Sequence, residues 1–290
     1  MNRTVPGSCL RLLLALLLSV PFIAQAAESY DNCTGFITSL PTTISTQGTW
    51  CLKQDLATNI TSGVAITIAT NNVTIDCNDF KLGGLAAGAA TTTIGIYALN
   101  HLNASVRHCN IRGFRYGLYF DGVNGGGHAV EDNRFDGNTW VGLRVEGDGS
   151  VVQRNRVFDT GGSSVLADAY GVVTLYSVDI LNNTVSGVAA TPSAGGSATG
   201  IFTAGNASGR IIGNGVNGVA KDGSGLAKGI SNGGSDRIAL RKNDVVGDGS
   251  SGSVGISCSS ANGNAMDNVI SDFVTALVSC TDSGGNVVVP

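Results

Sequence analysis

The sequence is poor in charge. Asp, Glu, Lys and Arg make up 13% of its 290 residues and aromatics 6%, where about a quarter charged is usual. A coiled coil or helical bundle needs a charged surface, and the 42 glycines weaken helices further, so both are excluded. There is no basic excess: 17 basic against 21 acidic residues give a net charge of −4. Little is left to neutralise phosphates, which speaks against a nucleic-acid partner. No C-x-x-C pair or Cys/His cluster of zinc spacing occurs, so no metal centre is expected. Disorder is equally poorly supported, because 42% of the residues are hydrophobic.

What is present begins with an address. Arg3 and Arg11 precede the apolar run Leu12 to Leu18, and Ala24-Gln25-Ala26 follows. This reads as a secretory signal, residues 1–26, with export to the periplasm or beyond. The rival reading, an uncleaved anchor, has a short and broken apolar run against it. No later segment is a membrane span. Beyond the signal stand six cysteines, Cys33, Cys51, Cys77, Cys109, Cys258 and Cys280. An even number in an exported chain favours disulfides, with fifteen pairings open in principle.

Two short signatures alternate down the chain. In one, an apolar residue, two others, Asn, any residue and an apolar residue follow in order, as in Val130-Glu-Asp-Asn133-Arg-Phe135 and Val152-Gln-Arg-Asn155-Arg-Val157. Its Asn recurs at 78, 133, 155, 183, 214, 243 and 268, with Cys109 in its place once. The other is Gly followed by apolar alternation, at Gly95, Gly117, Gly142, Gly171, Gly200, Gly229 and Gly255. From each of these glycines to the next Asn the gap stays within 12–16 residues, whereas from Asn to Gly it wanders over 8–17. The steady part reads as structure and the wandering part as loop. Coils of this length with strand-like alternation and no helical period suit a solenoid of stacked strands. Stacked at a turn, Asn can hydrogen-bond the Asn above and below, and it tolerates left-handed backbone.

Gly48-Thr-Trp-Cys-Leu, Gly63-Val-Ala-Ile-Thr-Ile and Asn71-Asn-Val-Thr-Ile-Asp-Cys-Asn resemble the opening of many exported members of the pectin-lyase-like superfamily. The resemblance covers roughly residue 45 onward. It implies an all-β fold, a single-stranded right-handed parallel β-helix of about eight coils. The expected division is signal 1–26, a disulfide-containing N-terminal cap 27–60 and the helix 61–290, as a monomer. Repeat register then narrows the cysteines to 33–51, 77–109 and 258–280.

In that superfamily the strand after the variable loop floors the substrate cleft, which here is the Gly strand. If its apolar residue after Gly points inward, the residues two and four after Gly point outward. The first of these columns reads Tyr97, Tyr119, Arg144, Val173, Phe202, Ser231, Ser257; the second contains Asp121 and Glu146. Trp140 and Arg115 lie two residues before their own glycines. The stripe Tyr97, Tyr119, Phe202 with Trp140, Arg115 and Arg144 suits stacking on sugar rings, so a polysaccharide partner is expected. Covering of these rings by neighbouring loops is the competing expectation. Short connections before Gly117 and Gly142, flanked by longer loops at 83–93 and 160–169, predict a notch over Tyr119, Asp121, Trp140, Arg144 and Glu146.

Asp121 and Glu146 one coil apart could serve as general acid and as nucleophile or base, with Arg144 as a lyase base or a carboxylate-binding residue. The plainer alternative is a surface Arg144–Asp121 ion pair. Pectate lyases carry calcium-binding aspartates on the floor strand, and polygalacturonases carry Asn-Thr-Asp, Asp-Asp and His-Gly motifs. None of these occurs here, so no superfamily catalytic residue transfers, and neither calcium nor another cofactor is supported by motif. A second cluster at the Asn turn, Asp76, Arg107, His108, Glu131, Asp132, Arg134, Arg154 and Arg156, reads as a charge ladder between coils. The sequence therefore points to polysaccharide binding, with lyase or hydrolase activity open. Its rival is an adhesive scaffold contacting protein through loops such as Thr191–Ala198.

Overall fold

A computed structural model describes residues 30–234, 237–259 and 262–290. The signal segment 1–26 lies outside the described residues. Each full coil contributes three strands, for instance Ala129–Glu131 before the Asn turn, Arg134–Asp136 after it and Val141–Glu146 as the glycine strand. Strands of one kind pair in parallel with those of the neighbouring coils, giving a pre-turn sheet of 11 strands, a post-turn sheet of 10 and a glycine sheet of 10. The parallel β-helix has about nine turns, one more than counting Asn turns gives. The extra turn begins with Gly48–Cys51, which pairs in register with Val73–Asp76 but has no Asn turn to mark it. The segment read as a cap carries strands Gly35–Phe36, Thr42–Ile44 and Leu56–Ala57, which join these same three sheets. Among the described residues the one helical element is a 3-10 turn, Leu85–Ala87.

In-register pairing repeats one side-chain type per column, and that repetition builds the core. Ile96, Leu118, Leu143, Val172, Ile201, Ile230 and Ile256 stack inside the glycine sheet, all fully buried. Val106, Val130, Val152 and Ile180 do so under the pre-turn sheet, and Ile111, Phe135, Val157 and Val185 under the post-turn sheet. Each such side chain contributes roughly 1.5–3 kcal/mol through apolar burial.

The Asn column is a buried amide ladder. Asn133 Nδ2 donates to Asn155 Oδ1 at 3.0 Å, Asn155 to Asn183 at 3.0 Å, Asn183 to Asn214 at 3.0 Å, and the chain continues through Asn243 and Asn268 to Asn286. Left-handed backbone, expected at the Asn itself, falls on the residue before it in these coils: Asp132, Arg154, Asn182 and Lys242 have φ between 52° and 56°. The turn bends at that exposed residue, which leaves the Asn free to point inward. Where Cys109 replaces Asn, a covalent bond to Cys77 takes the ladder's place, with Cα atoms 4.7 Å apart. The other disulfides are 33–51 and 258–280.

The glycine column has a packing cause. A Cβ at Gly117 would sit 2.5 Å from the Gly142 carbonyl oxygen and 2.8 Å from the Phe135 ring; at Gly142, 2.5 Å from the Gly171 oxygen and 2.6 Å from Val157. The missing side chain therefore faces the core, and the following residue, Leu118 or Leu143, faces the core as well. Two consecutive inward positions interrupt the strand's alternation, as at a β-bulge.

Candidate functional site

That interruption reshapes the outer face. The column Tyr97, Tyr119, Arg144, Val173, Phe202, Ser231, Ser257 is in register as expected. A second column, one residue before each glycine, faces outward too: Ile94, Tyr116, Val141 and Tyr170. Strict alternation places these inward, so sequence reasoning missed Tyr116 and Tyr170. The available signal was an aromatic directly before Gly117 and Gly171.

Six rings form one chain across five coils. Tyr97 meets Tyr119 edge-on at 5.6 Å, Tyr119 stacks on Tyr116 at 5.0 Å, and Tyr116 meets Trp140 at 4.9 Å. Trp140 reaches Tyr170 at 6.4 Å, and Tyr170 reaches Phe202 at 5.8 Å. Two guanidiniums lie on this surface: Arg144 is 4.8 Å from the Tyr119 centroid and Arg115 is 4.7 Å from Trp140. Tyr116 is almost buried, while Tyr97, Tyr119, Trp140, Tyr170 and Phe202 keep part of their surface in solvent. Trp140, Val141, Arg144, Tyr170, Val173 and Phe202 line a cavity of about 160 Å³.

The walls join. The Ser164 N–H donates to the Ala89 carbonyl at 3.1 Å, linking the two long loops at the edge of the notch where Arg115 and Trp140 sit. Nε of Arg115 and Nε1 of Trp140 are buried there without a hydrogen-bond partner. Tyr97, Tyr119, Trp140, Tyr170 and Phe202 are nevertheless only half-buried, so the loops do not close over the stripe.

The carboxylates are engaged. Glu146, 5% exposed, accepts from Arg144 Nε at 2.8 Å, from the Tyr119 hydroxyl at 3.3 Å and from the Gly122 N–H at 3.3 Å. The ion pair considered for Arg144 and Asp121 is thus made with Glu146 instead. Residues two apart on a strand share a face, so Glu146 lies alongside Arg144 without spanning coils. Asp121 accepts from the Tyr97 hydroxyl at 3.1 Å. Burial, then the Asp121 hydrogen bond, pushes the Tyr97 hydroxyl up to about 12. Burial raises Tyr119 as well, with Asp121 and Glu146 adding to it. Both phenols remain neutral donors.

At the Asn turn, Arg154 clamps Asp132 at 2.7 Å and Glu131 at 3.1 Å, and Asp76 holds Arg107 at 2.7 Å and His108 at 3.2 Å. His108, Asp132 and Arg154 share the left-handed position of successive turns, but His108 bonds to Asp76.

Compared with known proteins, residues 57–226 match the family described as "Periplasmic copper-binding protein (NosD)", more than half of the chain. The chain belongs to the NosD family. No curated protein matches it. Among solved structures, it is similar to the Dettilon tailspike protein gp208 at 13% identity and TM-score 0.41, covering 87% of this chain and 62% of that one. The A-module of the Azotobacter vinelandii mannuronan C-5 epimerase AlgE6 shares 13% identity at TM-score 0.37, over 84% of this chain and 75% of that one. The Agl-KA catalytic domain shares 11% at 0.40, over 83% and 58%. The chain thus spans less than two thirds of the tailspike and of Agl-KA.

Copper favours thiolate, thioether and imidazole ligands. The six described cysteines are all in disulfides, and among the described residues no three His, Cys, Asp or Glu side chains converge to hold a metal ion. His101 and His128 neighbour each other near Gly125, yet His101 Nδ1 lies 3.2 Å from Asn71 Oδ1 and His128 Nδ1 accepts the Ala104 N–H at 3.2 Å. Burial lowers His128 to about 4. The described residues of this NosD member do not fit a copper centre.

Proposed function

We propose that this NosD-family protein is exported through residues 1–26 and binds an extended polysaccharide along the outer face of its glycine sheet. The observation that carries this reading is the six-ring chain from Tyr97 to Phe202. At ~4.8 Å per coil it runs ~19 Å, long enough for several sugar rings. Aromatic faces with polar tips stack on sugars while their hydroxyls and guanidiniums reach ring substituents. Tyr97, Tyr119, Trp140, Phe202 and Arg115 would contact the glycan, joined by Tyr170. Three disulfides and membership of a family described as periplasmic support an oxidising compartment outside the cytoplasm. Among the described residues no helix is long and apolar enough to cross a membrane.

Glycan affinity gels test this binding. The wild type is expected to be retarded by at least one neutral member of an acidic and neutral panel of linear polysaccharides, and Tyr119→Ala or Trp140→Ala to migrate through that gel as on a blank one while keeping the wild-type far-UV circular dichroism. Equal retardation of wild type and both variants would remove the stripe from the binding surface. Cleavage would run through Asp121, Glu146 and Arg144; new reducing ends or unsaturated products on the same panel, lost in Glu146→Gln, would mark it. If binding is to protein instead, swapping residues 191–198 abolishes it and the aromatic variants do not.

A further inference from the structure

The post-turn sheet carries a different surface. Lys81, Asn110, Arg134 and Arg156 are register partners on four successive coils. Beside them Arg112 pairs in register with Asp136, and Arg154 stands at the adjoining turn. Two depressions of about 320 and 310 Å³ run along these residues and share Asp79, Asn110 and Arg134. Five of the chain's 17 Lys and Arg residues line them, although the whole chain is acidic.

Three of these cations are paired: Lys81 with Asp55 at 2.9 Å, Arg134 with Asp136 at 3.0 Å, and Arg154 with Asp132 at 2.7 Å. Two are not. Among the described residues Arg112 has no ion pair, and its Nε is buried without a hydrogen-bond partner. Arg156 likewise has no ion pair; its guanidinium and that of Arg134 both lie against the Phe158 ring, at 5.2 and 4.6 Å. Like charges directly opposite on neighbouring strands are destabilising, and Arg134 and Arg156 occupy such positions beside one aromatic ring. A buried guanidinium N–H without an acceptor costs free energy as well. The like-charge cost falls if an oxyanion sits against the Arg156 guanidinium, and the unpaired guanidinium of Arg112 can likewise take a carboxylate through the N–H groups it presents to the groove.

We propose that this groove binds a linear acidic glycan, with sugar carboxylates on Arg112 and Arg156 and sugar hydroxyls donating to Asp79 and Asn110. The mixed lining selects this class. Asp55, Asp79, Asp132 and Asp136 place hydroxyl acceptors among the cations, which a polymer offering only phosphates along its backbone would leave unmatched. A uronan has one charge per sugar and a hydroxyl for each acceptor. The site stands on a separate sheet and does not depend on the aromatic stripe.

Calorimetric titration with a homogalacturonan oligomer at low ionic strength tests it, with a neutral oligosaccharide of equal length and oligo-dT in parallel. The wild type is expected to bind the uronan, with the affinity falling as salt rises. Arg112→Gln combined with Arg156→Gln should weaken binding at least tenfold, Arg156→Lys with Arg112 intact should recover most of it, and Trp140→Ala should leave the salt-sensitive component in place. Uronan binding that does not weaken with salt, binding of oligo-dT as tightly as the uronan, or an unchanged affinity in the double variant at wild-type melting temperature, would overturn the proposal. So would loss of all uronan binding in Trp140→Ala, which would assign the uronan to the stripe instead.

Discussion

Asn183→Ala is expected to lower the free energy of unfolding by about 3–5 kcal/mol. The side chain donates to the Val152 carbonyl at 2.9 Å and to Asn214 Oδ1 at 3.0 Å, and its own Oδ1 accepts from the Asn155 backbone N–H at 2.9 Å and side-chain amide at 3.0 Å. It is 1% exposed, so no water replaces what is lost. Alanine would strand a donor pair on Asn155 and the acceptor on Val152, each costing about 1–3 kcal/mol, while Asn214 Oδ1 keeps the backbone N–H of residue 183. A solenoid's coils contact only their neighbours, so the break at this coil should also split urea unfolding into two steps. A loss below 1 kcal/mol in equilibrium urea melts would mean the ladder amides are not the dry chain described.

The second large effect concerns Glu146. Replacing it by alanine removes the partner of Arg144 and the acceptor for Tyr119 and Gly122 at a nearly buried position. Truncating one member of a buried ion pair costs about 3–5 kcal/mol, while replacing both by apolar residues is often close to neutral. Glu146→Leu combined with Arg144→Leu should therefore be more stable than Glu146→Ala alone in thermal melts. If the double variant is the less stable, Arg144 and Glu146 act independently, and Glu146 is free for other chemistry. Three hydrogen bonds on one carboxylate speak for a structural clamp under Tyr119.

The solenoid was legible because its pairing is in register: one coil's Asn or Gly predicts the next, and the Tyr97–Tyr119–Arg144–Val173–Phe202 column follows from counting. The cysteine pairs followed from the same count. Tyr116 and Tyr170 did not, because the glycine before Leu118 or Val172 faces inward and breaks strict alternation. That inward turn depends on crowding by the next coil's carbonyl, a contact absent from any local pattern. Arg144's choice of Glu146 over Asp121 turned on side-chain reach within one strand, and the Ala89–Ser164 bridge on two loops 75 residues apart. The missing extra turn was invisible for lack of an Asn.

Tryptophan emission tests the central claim most directly. The chain has two tryptophans, Trp50 and Trp140, and Trp50→Phe leaves Trp140 as the reporter inside the ring chain. With a glycan that retards the wild type on gels, saturating titration should shift Trp140 emission and shield it from acrylamide quenching. Emission and quenching that stay unchanged while the glycan is demonstrably bound would contradict the account, because the sugar would then lie elsewhere on the helix.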